Sequence, residues 1–242
     1  MSAVIAIARV SLLRAVRRPS TWWLSAIAFV PALLAGWVGA LGHDAMSVGA
    51  PLLVDVAAPL LTVPWVAGSL GDLFERRVVV YWFTRPIERW SALVGEWLAA
   101  TLAVGLVLIL GGAMLAVAQA LTGNASISSL FRLPAAMLVE AAALSGLSVG
   151  VAALAPRHPV SATIAVLAVT EAALPGLWAP MQSLSLSHHV ATLAGIDANA
   201  SMGSLAGTAP TPSMLAAAVV LTLYSVLPLA IGARAIADRD LG

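Results

Sequence analysis

The 242-residue sequence contains no cysteine and no lysine, and only 10% of its residues are charged. Without cysteine there are no disulfides, no thiolate metal sites and no cysteine nucleophile. Without lysine there is no phosphate-binding glycine loop ending in Gly-Lys-Ser/Thr, so the chain is not expected to be an enzyme that hydrolyses ATP itself. Soluble domains carry roughly 25% charged residues. This chain is 61% hydrophobic with a mean hydropathy of +0.98, which marks an all-α integral membrane protein. Every basic residue is arginine, and alanine is abundant. That composition points to a GC-rich bacterial genome and hence to the bacterial cytoplasmic (inner) membrane.

What charge there is gathers in one place. Residues 71–89, GDLFERRVVVYWFTRPIER, hold Arg76, Arg77, Arg85 and Arg89 between two runs long enough to cross a bilayer. Charge of this density faces water, and short arginine-rich loops stay on the cytoplasmic side. Residues 3–18 read as an amphipathic helix lying on the membrane surface. Ile5, Leu12 and Val16 cluster on one side; Ser11, Arg14, Arg17 and Arg18 spread over the other, and Arg9 snorkels.

Six spans follow this interfacial segment (1–19), at about 20–41, 48–70, 89–120, 132–154, 160–179 and 213–233. The first opens with Trp22 and Trp23 as an aromatic belt. The second contains Pro51, Pro59 and Pro64; Pro59 removes the donor to the Asp55 carbonyl, so this helix kinks and turns to the protein interior. The third, at 32 residues, exceeds the roughly 20 needed and tilts or projects. An outer segment, 180–212, is too long for a simple connector, and its middle, 185–195, has the makings of a short helix. A tail, 234–242, ends the sequence. With both termini inside, eleven of the twelve arginines fall on the cytoplasmic side and only Arg132 outside. The two halves show no internal repeat of the kind common in secondary transporters.

Four carboxylates lie within the spans: Asp55, Glu96, Glu140 and Glu171. An ionisable group in the bilayer costs roughly 2.5 kcal/mol or more and is a functional candidate by default. Asp55, Glu140 and Glu171 each lie on the order of 10 to 12 Å from the outer boundary, counting about 1.5 Å per residue. They are therefore candidate lining residues of one translocation cavity. Glu96 lies at a similar depth from the inner face. The ordinary alternative is a carboxyl that is protonated or hydrogen-bonded across a helix interface. Gly146-Leu147-Ser148-Val149-Gly150 matches the nucleophile-elbow pattern but sits inside an apolar helix, where small residues at this spacing serve helix packing. His188-His189 lack the spacing and acidic partners of a metal site, and no metal is expected.

Glu75, then Thr84-Arg85-Pro86-Ile87-Glu88-Arg89 running into WSALVGEWLA, resembles permease subunits of ABC transporters of the type-2 exporter class. The likeness extends to the basic N-terminal helix, the six spans and the long segment before the last one. The Gly-Thr usual in that family after the acidic residue is replaced by Val78-Val79-Val80-Tyr81. The resemblance implies a dimer of permeases, two copies of this chain or this chain with a second permease, clamped by two copies of a cytoplasmic ABC ATPase subunit, which holds the ATP and magnesium. Glu75 and Arg76 would then belong to the coupling element, and Pro86 and Arg89 to the start of the third span. Asp72, Phe74, Arg77 and Arg85, from the same charged loop, complete the candidate coupling surface. Partners are thus the ATPase, a second copy and membrane lipid, with no nucleic acid. A gradient-driven carrier using the buried carboxylates is the alternative.

Overall fold

The computed structural model describes residues 3–67, 89–121, 127–174, 179–196 and 210–238. Among these every regular element is helical. Helix α1 spans Ala3–Val16. Helix α2, Thr21–Ala40, and α3, Ala45–Val66, form an antiparallel pair joined at Gly42, whose φ of +83° suits glycine. Helix α4, Arg89–Leu121, is followed by α5, Ile127–Leu154, and α6, Pro159–Ala173. A shorter helix, α7, occupies Leu186–Ala194, and α8 runs from Met214 to Ala237.

Five of these, α2, α3, α4, α5 and α8, are long and apolar enough to cross a membrane, which makes the chain a multi-pass membrane protein. Helix α6 is apolar but shorter, and residues 175–178 beyond it lie outside the described residues. The outer segment expected at 180–212 is described to 196 and again from 210. Helix α5 begins at Ile127, five residues before its expected start, so 127–131 are helix and not loop.

Burial separates the helices by role. In α5, 72% of the most apolar window is buried; in α8 the figure is 22%. Helix α5 is thus the central post, while α8 turns Leu215, Val219, Leu223 and Ile231 outward. Close approach of these two comes from glycine. A Cβ at Gly146 would collide with the backbone of Ser225, and one at Gly150 with the backbone and ring of Pro228. On the opposite side Gly232 abuts Gly150 and Ala153. The Gly-x-x-x-Gly spacing is a helix-packing surface in α5. Ser225 Oγ then donates to the Ala142 carbonyl at 3.1 Å, and Trp97 Nε1 on α4 donates to the same oxygen at 3.1 Å.

The prolines of α3 shape it as their missing donors require. Its backbone widens into π turns at Leu52–Ala57 and Val63–Ala67, with the Ala58 N–H reaching back five residues to the Leu53 carbonyl. Such turns let the ladder continue around a proline that cannot donate. As read from the sequence, this helix packs inside: Leu53, Val54, Ala57, Ala58, Leu61 and Thr62 are all buried.

Helix α1 corrects one expectation. Ser11, assigned to the outward polar side, is its one buried residue at 7% exposure. The helix docks on α4 where Gly95 makes room, since a Cβ there would press on Ile7 and the Val4 carbonyl. Ile5 and Val16, from the expected apolar side, are exposed.

The glycine contact yields a direct comparison. Gly150→Val should cost about 1–3 kcal/mol by overpacking and lower the thermal midpoint in mild detergent. Gly36→Val, where a Cβ meets nothing within 4 Å, should leave the midpoint unchanged. Equal midpoints for the two variants would show that α5 and α8 can separate without loss.

Candidate functional site

Asp55 comes from the first π turn of α3, Glu140 from the middle of α5 and Glu171 from a π turn, Ala168–Ala173, in α6. The structure brings these three carboxyl groups near enough to act on one another electrostatically. Glu140 is 1% exposed, and its Oε2 has no hydrogen-bond partner. Beside Asp55 is a cavity of about 20 Å³, lined by Ala50, Pro51, Val54, Asp55, Ser187, Ala191 and Ile196. It has room for about one water.

Helix α7 closes this group on one side. Its sequence marks both ends. Ser185 caps the start, its Oγ accepting from the His188 N–H at 3.2 Å. Gly195, at φ +73°, ends it, and the Ile196 N–H returns to the Ala191 carbonyl at 3.0 Å. All five residues Leu186 to Val190 are buried, so the first turn points into the bundle. There the Glu171 Oε2 accepts the Ser187 N–H at 3.1 Å. A carboxyl at that position satisfies a donor the helix leaves open and complements its dipole. Two further polar ties hold the approach to α7. Tyr224 donates to the Leu184 carbonyl at 2.6 Å, and His189 Nε2 meets the Ser183 carbonyl at 2.8 Å. At the opposite end Arg132 Nη1 would lie 3.4 Å from a Cβ on Gly195, where a cation favours the C-terminus of the helix.

His188 and His189 were set aside as a metal pair, and among the described residues no group of His, Asp or Glu is arranged to hold a metal ion. Both are buried in the first half of α7. The fixed ends of this helix were legible in Ser185 and Gly195. The pairing of Glu171 with Ser187 was not, because it joins two separate helices.

The remaining carboxyl within the helices belongs to a different place. Glu96, 3% exposed, accepts a hydrogen bond from Ser11 of α1, and Arg14 is near enough to act on it electrostatically. Ser11, Trp65 and Glu96 line one small cavity, so α1, the end of α3 and the start of α4 meet there. A second apolar cluster extends this layer, joining Val66, Leu93, Val149, Ala153, Leu229 and Ile236.

The candidate coupling residues Asp72, Phe74, Glu75, Arg76, Arg77, Arg85 and Pro86 lie outside the described residues, and Arg89 is described only as the first residue of α4. The chain segment that leads into this loop reaches the Glu96 layer at Trp65. No protein-family model matches the sequence, and a search of curated proteins finds no match.

The ties on α7 can be read separately by amide hydrogen exchange. Glu171→Ala leaves the Ser187 N–H buried without its acceptor, a loss of about 1–3 kcal/mol, so exchange at Ser187 should quicken roughly tenfold or more. Tyr224→Phe removes one neutral bond, worth about 1 kcal/mol, and should have a smaller effect. Unchanged exchange in both variants would mean that apolar packing alone seats α7.

Proposed function

We propose that the chain is the membrane permease subunit of an ATP-driven exporter of the ABC class, moved by a separate cytoplasmic ATPase. The observation that carries this reading is the gathering of the arginine-bearing segments at one end of the bundle. Helix α1, with Arg9 and Arg14, is docked there beside Glu96. The start of α4 at Arg89 and the Arg157 turn after α5 belong to the same end, as does the last turn of α8 with Arg234. Arg132 is at the other end, beside Gly195. Arginine distributed this way favours the first end as cytoplasmic, with both termini inside and six spans in all. The charged loop 71–88 then emerges into the cytoplasm between α3 and α4.

In this reading the loop is the docking surface, with Glu75 and Arg76 at its centre and Phe74 as an apolar anchor. Displacement of the loop moves α4 directly, and α1 with it through the Ser11–Glu96 bond. Asp55, Glu140 and Glu171 stand at the far end as the polar wall of the transport path. ATP and magnesium belong to the ATPase, and a second permease copy completes the assembly in the bacterial inner membrane.

The three interacting carboxyls favour a second reading, a carrier driven by a proton gradient. Purification of the tagged chain from its host in mild detergent separates the two. An exporter subunit should bring down a stoichiometric ATPase, and Glu75→Lys with Arg76→Glu should release it. Asp55→Asn, Glu140→Gln and Glu171→Gln should keep the ATPase bound while impairing transport. A folded chain that co-purifies with no ATPase would move the assignment to the carrier.

A further inference from the structure

Docking of α1 through Ser11 and Gly95 leaves the other side of this helix turned away from the bundle. Six exposed residues there recur at spacings of three and four: Ile5, Arg9, Val10, Leu13, Val16 and Arg17. The four apolar ones are each at least 42% exposed. A face built this way suits neither bulk solvent nor hydrocarbon. Water disfavours four large apolar side chains in one patch, and the bilayer interior disfavours two arginines. The zone where acyl chains meet headgroups takes both, with the apolar groups turned down and the arginine stems snorkelling up.

The depth of the helix is marked independently. Trp22 Nε1 donates to the Val16 carbonyl at 2.9 Å, which joins the end of α1 to the start of α2. Trp22 and Trp23 are both exposed, and tryptophans at the end of a span sit at the level of the headgroups. The charge here is of one sign. No acidic residue precedes Asp44, which lies in the turn at the far end of α2. Glu96, the carboxyl that α1 does meet, is buried on the docked side next to Ser11 and Arg14. Among the described residues, neither Arg9 nor Arg17 is paired with a carboxylate.

We propose that the outward face of α1 is a binding surface for anionic phospholipid, with Arg9 and Arg17 on headgroup phosphates and Val10 and Leu13 among the upper acyl carbons. Arginine suits this partner because its planar fork donates in pairs to phosphate oxygens and never loses its charge. The two arginines are separated by about 12 Å along the axis, at about 1.5 Å per residue, so each addresses its own headgroup. A zwitterionic lipid offers the same phosphate but sets a cation beside it, so the net-anionic lipid is preferred. The inference needs no ATPase, and in vesicles whose two leaflets are alike it does not depend on which end of the bundle is cytoplasmic.

The chain has no cysteine, so one introduced thiol reports one position. Val10→Cys carries a fluorophore on the outward face of α1, and His43→Cys carries the same fluorophore in the exposed turn between α2 and α3. Each full-length variant is reconstituted in phosphatidylcholine vesicles containing increasing mole fractions of brominated phosphatidylglycerol or brominated phosphatidylcholine. At Val10→Cys, half-maximal quenching should need about three- to tenfold less of the anionic lipid. Adding Arg9→Gln and Arg17→Gln should bring the two curves together, and at His43→Cys the two lipids should quench alike. Equal quenching by both lipids at Val10→Cys with the arginines in place overturns the anionic preference. A preference that survives in the double arginine variant overturns its assignment to these side chains. Quenching by neither lipid would mean that water or another protein covers this face, and would overturn the surface altogether.

Discussion

The contact on which the rest of the fold depends is the approach of α8 to α5 without side chains between them. Gly146 and Gly150 let the Ser225 and Pro228 backbones lie against α5, and Gly232 completes the fit. In a bilayer no hydrophobic force draws helices together, since lipid is as apolar as leucine; close packing and interhelical hydrogen bonds do it instead. Here both occur together. The same approach brings Ser225 to the Ala142 carbonyl, which Trp97 reaches from the other side. Three helices are thus fastened at one oxygen, and the buried carboxyl of Glu140 lies half a turn away on the same post.

That post divides the molecule into two polar layers. Near the arginine-bearing end, Glu96 ties α1 to α4. Near the opposite end, Glu171 ties α6 to α7. Each carboxyl reaches across to an element that does not cross the bundle. Helices α4 and α5, which are long and share an extended interface, run between the two layers.

Much of this was readable in the residues themselves. Of the six apolar runs, five are helices long enough to cross a membrane, the three prolines marked α3 as irregular, and Ser185 with Gly195 bracketed α7. The GLSVG pentapeptide was legible as a packing surface because an elbow needs a strand before it. The inward face of α1 was not legible. An angular projection rewards the apolar residues Ile5, Leu12 and Val16, whereas the helix docks through a small-residue contact at Gly95 and a polar bond from Ser11. The partner of that bond is 85 positions away, beyond any local pattern. The depths of Asp55, Glu140 and Glu171 could be counted along the chain, but their facing one another depends on how three helices are rotated. The start of α5 was hidden for a simpler reason: the polar residues Ser128 and Ser129 resemble a loop, yet they occupy its first turn.

Helix α3 also keeps an unusual rhythm. Ten of its buried residues fall in pairs, Ala45 and Met46, Gly49 and Ala50, Leu53 and Val54, Ala57 and Ala58, Leu61 and Thr62, with Pro51 and Val66 outside the pattern. This is a repeat of four, and an α-helix of 3.6 residues per turn would drift by about 40° at each repeat. Left uncorrected, the stripe would rotate by about 160° over the five pairs and expose its last members. The π turns absorb part of that drift, so one face stays against the core along the whole helix. Chain length in α3 is therefore a quantity under constraint in its own right. A single residue removed within Leu52–Ala57 would leave every side chain chemically intact and yet turn Asp55 and its neighbours by about 100° relative to one of its two ends.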